Sequence, residues 1–348
     1  MDYAAWDTAI QNAIQTLPPA QATTRSQQFL QQFPTALTEF RAHLSSTPLD
    51  PPLAPFQLHP TYLLRFLLAE WQDESLKQPR TSLPLIISLS STRLLATQEW
   101  RSGSSGEEWS RWGYKDMNDL HTRYKTPQKE EEALDKWWPQ RFLGNDKRGY
   151  PLHMELLPGT YEEKLVLPMA LRRIVNNEHT LRVRIPALNP PPASIADSKD
   201  TATEFQLPPT HPPTTRPDTL TNPILGCTWI LDARQLSLWS SSAHYKTATA
   251  LINHSNKITS AHYPEQGYRA LVLNLGVVLG GMYNMAMKVL PATVQSNTRC
   301  FVGRDGLVTE GVFGSEENVP GMYKGKEKVL SKEEEERWRN DVGPFVSQ

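Results

Sequence analysis

From Gly226 to Gly303 the chain alternates short apolar runs with stretches of helix length. GCTWILD is apolar and ends in an acid. A stretch with helical periodicity, Ser240 to Ala261, follows it and closes in His262-Tyr263-Pro264-Glu265. Then come the apolar run ALVLNLG, the stretch VVLGGMYNMAMKVLP and the run RCFVG. Apolar runs of about four to eight residues read as strands buried on both faces. Connections of about a dozen residues or more let such strands lie parallel. The pattern therefore predicts strand, helix, strand, helix, strand in a parallel sheet. The stretch 277–290 carries more apolar surface than a crossover needs. It is shorter than the roughly 20 apolar residues that cross a bilayer. This combination predicts a lid over an apolar ligand.

Upstream the period is helical. Tyr3–Thr16 and Ser26–Ser45 read as amphipathic helices separated by proline-containing breaks, in a leader that reaches residue 58. HPTYLLRFLLAEWQ and LPLIISLSSTRLLATQEWR read as two more helices, with Pro60 in the first turn, where proline is tolerated. Residues 102–126 read as a polar loop. KEEEALDKWWP predicts a short charged helix that ends at Pro139. Asp146–Gly149 supplies turn residues before a strand at Leu152–Leu156. EEKLVLPMALRRIVNNEHTLR predicts a helix kinked at Pro168. Residues 186–223 are rich in Pro, Thr, Ser and Asp and predict a disordered insertion. A proline-rich stretch of this kind can also dock a protein partner. KEKVLSKEEEERWRND reads as a charged surface helix. The division that follows is a leader and helical subdomain over 1–126, an α/β domain over 127–330 with the insertion 186–223, and a charged tail over 331–348.

Composition narrows the function. The chain has 348 residues, with 36 Lys and Arg against 37 Asp and Glu. That balance argues against a nucleic-acid binder, which shows a basic stripe. Cys227 and Cys300 both lie in apolar runs and read as buried thiols rather than a disulfide framework or zinc site. MDYAAWDTAIQ has neither the basic nor the apolar region of a secretory signal. The expected location is cytoplasmic, with transient contact at membrane surfaces. GxSxG, HExxH and GxGxxG are absent, and the glycine spacing of Gly321–Lys326 is one short of a P-loop. Asp232, Ser240–Ser242, His244 and His262 supply the residue types of a hydrolase triad without a nucleophile elbow. No enzyme and no metal are expected. His244-Tyr245 offers haem-ligand types, but a helical pair of this kind is read as surface or packing, so no cofactor is expected.

The motifs in order resemble the CRAL-TRIO lipid-binding family. LLRFLLAEW at 63–71 is similar to its N-terminal helical signature, and WWPQRFLGNDKRGYPLHMELL at 137–157 to its strand entry. WILDARQLSL at 229–238, HYPEQGYRALVLNLG at 262–276, VLPATVQSNTRCFVG and ENVPGMYKGK at 317–326 continue the likeness to the end of the domain. The family resemblance implies an N-terminal helical subdomain and a mostly parallel sheet flooring an apolar cavity under a gate helix, here 277–290. It implies a single hydrophobic ligand, with the phosphatidylinositol and phosphatidylcholine transfer proteins closest in motif wording.

The same resemblance assigns the site. Glu265 matches the glutamate that meets an inositol head group. Gln295 and Thr298 stand at the family's Thr and Lys positions, and Glu70 at its Arg position. Ser237, Trp239, Arg141 and Phe142 fall at the phosphatidylcholine head-group positions, where the Trp239 ring can stack on an ammonium. The gate and cavity residues are Val278, Gly280, Gly281, Met282, Met285 and Val289. Paired glycines loosen a helix, and methionines make a soft wall. The expectation is a carrier that exchanges one phospholipid between membranes. The alternatives are a non-transferring sensor or scaffold, and a carrier of haem or an isoprenoid in the same fold.

Overall fold

A computed structural model describes residues 1–49, 52–72, 78–102, 132–134, 138–157, 165–192, 194–195, 218–235, 258–276, 297–303, 306–309 and 311–313. Five helices form the first layer: α1 (Tyr3–Gln15), α2 (Arg25–Gln32), α3 (Ala36–Ser46), α4 (Pro60–Trp71) and α5 (Leu83–Ser102). Local chemistry sets their ends. Asp2 caps α1 by accepting from the Ala5 amide at 2.9 Å. Thr24 and Gln27 form a reciprocal capping box on α2. Pro34 separates α2 from α3, so the single helix expected over Ser26–Ser45 is two. Pro60 opens α4 as its first residue, and His59 caps it through the Thr61 amide. Trp6, Ile10, Ile14, Phe29, Leu30, Leu37 and Phe40 close over Leu63, Leu64, Leu67 and Leu94 in one buried cluster.

The sheet has the order β1-β2-β3-β4-β5, with β1 (Gln140–Asn145), β2 (Pro151–Leu156), β3 (Cys227–Asp232), β4 (Gly267–Leu273) and β5 (Thr298–Cys300). β1 and β2 are an antiparallel hairpin, and β2 through β5 run parallel. This is the mixed α/β architecture with a mostly parallel sheet. β4 begins and ends three residues earlier than the apolar run ALVLNLG. Asn274 and Gly276 take positive φ and close it. β5 is also shorter than RCFVG. At the other end, a Cβ on Gly226 would lie 2.5 Å from the Gln266 carbonyl oxygen. Only glycine lets the chain enter β3 so close to the turn before β4.

α6 (Val166–His179) lies over the first two strands. Pro168 is its third residue, so its missing N–H falls among donors that have no helical partner anyway, and the expected mid-helix kink does not arise. A π turn, Thr180–Arg184, follows, then α7 (Ile185–Leu188). Pro186 cannot donate to the Arg182 carbonyl in the α register, which accounts for the change of pitch. Of the stretch 186–223, residues 186–192, 194–195 and 218–223 lie within the described residues. Asn189 donates to the Ile185 and Ile224 carbonyls and accepts from the Ile224 amide at 2.8 Å, tying the two flanks together. Of the expected helix Ser240–Ala261, only 258–261 lies within the described residues, and it is helical, continuing to residue 262. No helix among the described residues is long and apolar enough to cross a membrane.

Candidate functional site

The register places two rows of side chains across one face of all five strands. Phe142, His153, Trp229, Ala270 and Thr298 form one row. Gln140, Glu155, Leu231, Val272 and Cys300 form the next. Adjacent strands lie about 4.8 Å apart, so each row spans about 19 Å. The opposite face buries Leu152, Met154, Ile230, Leu271 and Leu273 against Leu307 and Val312, and is filled.

The face with the two rows has unlike halves. Over β1 and β2 it is closed by α6 and the π turn. Arg173 donates to both oxygens of Glu155, at 3.1 and 3.3 Å, and Asn176 donates to Gln140 at 2.7 Å. The Arg184 guanidinium lies 3.9 Å over the Phe142 ring. Burial pushes the Glu155 carboxyl up, and the Arg173 guanidinium opposes it. Arginine keeps its proton, so a carboxylate is needed beside it. His153 sits between Phe142 and Trp229, with ring centroids at 4.9 and 4.3 Å. Burial holds its imidazole at about 3, neutral at any physiological pH, with Arg173 and Arg184 adding to the effect.

Over β3 to β5 the same face is apolar and only partly covered. Trp229, Leu231, Ala270, Thr298 and Cys300 are all half-buried. Val272, between Leu231 and Cys300 in the second row, is buried and packs with both and with Ala233 and Leu275. The arrangement is a floor about 10 Å wide from β3 to β5, apolar at one end and charged at the other. Such a surface suits a ligand with a long apolar part and one polar group.

The residues expected to serve the site are not all together. Phe142 and Thr298 stand at opposite ends of one row. Arg141 belongs to the other face by the alternation of β1, and donates to the Gln140 carbonyl. Glu265 lies in the turn before β4 at φ 56°. Both of its oxygens accept from Arg25 of α2, at 2.8 and 2.9 Å. Beside it, the buried Arg65 donates to the Pro264 carbonyl at 2.7 Å, and burial lowers that guanidinium to about 10, still charged at neutral pH. Glu70 accepts from Arg93 at 3.1 Å. Ser237, Trp239, Gln295, Val278, Gly280, Gly281, Met282, Met285 and Val289 lie outside the described residues, as do His244 and Tyr245. His153, Glu155, Trp229 and Arg173 enter the site without having been singled out. In PLHMEL the alternation of His153 and Glu155 with Leu152 and Met154 was the available signal. Nothing local announces Arg25, whose partner is 240 residues away.

No family model matches the chain, and neither does any curated protein. Among solved structures it is similar to the crystal structure of Sfh5, with 11% sequence identity and a TM-score of 0.42 over 94% of this chain and 99% of that one. The chain resembles the CRAL-TRIO lipid-binding proteins, and the order of its sequence motifs carries that resemblance.

Proposed function

We propose that the protein binds one hydrophobic ligand, a phosphatidylinositol or phosphatidylcholine, on the β3–β5 half of the sheet and exchanges it between membranes. The observation that carries this reading is the half-buried apolar floor of Trp229, Leu231, Ala270 and Cys300, which ends against the Glu155–Arg173 pair. Acyl chains fit the first part and a polar head the second. The stretch 277–290 connects β4 to β5, and in this reading it is the gate over that floor. Opening it at a bilayer exposes its apolar residues, and interfacial binding stabilises the open form.

The test is mass spectrometry of the lipid extracted from the purified full-length chain, beside its visible absorption spectrum. A stoichiometric phospholipid supports the carrier. A haem spectrum or an absence of lipid overturns it. The gate has its own test. Met285→Asp is expected to fold and to slow phospholipid transfer between vesicles by about tenfold or more, since a charge at an interface costs over 1.4 kcal/mol. Unchanged transfer by a folded variant would sink the gate assignment.

A further inference from the structure

His153 is 1% exposed, and neither ring nitrogen has a hydrogen-bond partner among the described residues. Buried imidazoles are normally held by at least one hydrogen bond, because an unmade one leaves the desolvation of that nitrogen uncompensated. Geometry assigns the tautomer. Nδ1 lies 3.6 Å from Glu155 Oε1, the oxygen that also accepts from Arg173. The ring proton is therefore favoured on Nδ1, facing that acceptor oxygen, and Nε2 keeps its lone pair. Nε2 is an acceptor in search of a donor, at the second position of the row that leads to the apolar floor.

Resting on the lipid-carrier reading above, we propose that Nε2 of His153 accepts a hydrogen bond from a hydroxyl group of the bound lipid. Phosphodiester oxygens, ester carbonyls and quaternary ammonium groups have no proton to give, so none of them completes this site. An alcohol does, whether it belongs to a polyol head group or to an isoprenoid alcohol. The half-buried Trp229 ring packs against His153 in a T-shaped pair, 4.3 Å between centroids. In this proposal the ligand reaches Nε2 when that indole swings aside. Thr298, three strands along the same row, offers a second hydroxyl about 14 Å away.

The experiment follows the imidazole nitrogens by NMR in the full-length protein labelled with nitrogen-15 histidine, with His153→Phe used to assign the signals. Two matched pairs of probes are titrated: phosphatidylinositol against phosphatidylethanol in vesicles, and retinol against retinyl methyl ether. Each pair has the same charge and differs in its hydroxyls. The expected result is an upfield shift of the unprotonated His153 nitrogen with one of the hydroxyl-bearing probes and not with its partner. The pair that responds identifies the source of the hydroxyl. That probe is expected to bind His153→Phe about tenfold more weakly, with the control unchanged. The wild-type shift stands alone if the variant does not fold. Equal binding and no shift in both pairs overturns the assignment and leaves the carrier reading intact. Binding of no probe at all overturns both. A Soret band on titration with haemin that is lost in His153→Phe overturns the hydroxyl in favour of iron.

Discussion

Glu178 on α6 is fully buried and accepts hydrogen bonds from Arg101 at 3.0 and 2.8 Å, from Arg182 at 2.9 Å and from the Tyr263 hydroxyl at 2.7 Å. Arg101 lies over the rings of Phe56, Tyr62 and Tyr263. Each charge is tolerable inside only because the other is there. Glu178→Gln leaves two guanidinium groups without their carboxylate, so a loss of about 3 kcal/mol is expected in urea unfolding. A loss under 1 kcal/mol would mean that water reaches this cluster. His262 obeys the converse rule. Burial drives its imidazole from 6.5 to about 4, with Arg101 and Arg93 adding and Glu178 opposing. Its folded value is below its unfolded one, so the unfolded chain takes up the proton first as pH falls. Stability from the neutral ring is whole above pH 6.5 and is lost between 6.5 and 4, by up to about 1.4 kcal/mol per pH unit. His262→Phe keeps the stack on Trp100, whose ring centroid is 4.5 Å away. The variant's urea midpoint should fall less steeply than that of the wild type over this window; parallel slopes would refute the assignment.

At the scale of elements, the strands and helices whose pattern is local were legible, and the contacts that join distant segments were not. Three features held to the sequence reading: the parallel run of β3, β4 and β5, α4 with Pro60 at its start, and the full length of α5. The breaks depended on single prolines, and their effect depended on position. Pro34 ends a helix, Pro168 is harmless in a first turn, and Pro186 coincides with a change of pitch. β1 escaped the periodicity because QRFLGN mixes charged and apolar residues on two buried faces. The docking of α2 was invisible as well, since it rests on Arg25–Glu265, on Arg25 to the Leu68 carbonyl and on Gln27 to the Thr221 carbonyl. A half-buried ion pair of this kind contributes about 1 kcal/mol. Arg25→Ala and Glu265→Gln should each cost that much, and the double variant little more than either alone. Full additivity would show that the pair is not coupled. The same variants weigh the head-group role of Glu265. If that carboxylate meets inositol, Glu265→Gln slows phosphatidylinositol transfer and Arg25→Ala does not.

Across the whole molecule, the buried helical cluster has no edge at residue 58. Trp6, Ile10, Ile14, Phe29, Leu30, Leu37, Phe40 and Leu44 share it with α4, α5, Ile174, Leu181, Ile185, Ile258 and Tyr263. Residues of α6 and of the segment leading into β4 are therefore packed on the same core as the first helices. Arg25 and Gln27 add polar ties from α2 to either side of β3, and Arg93 of α5 donates to the carbonyls of Ala261 and Ser260. The floor that the ligand would occupy is thus held by a sheet whose strands β3 and β4 are anchored, through the segments that lead into them, to the N-terminal helices. Burying one large apolar side chain contributes about 1.5–3 kcal/mol, and a domain keeps only about 5–15 kcal/mol in all. Removing α1 to α3 takes away at least eight such side chains and uncovers the Leu63, Leu64 and Leu67 face of α4. A chain that starts at His59 should therefore fail to fold, showing broad amide NMR signals and no cooperative urea transition. If it instead folds cooperatively and takes up phospholipid from vesicles, the first 58 residues are an appendage and the lipid-binding unit begins at α4.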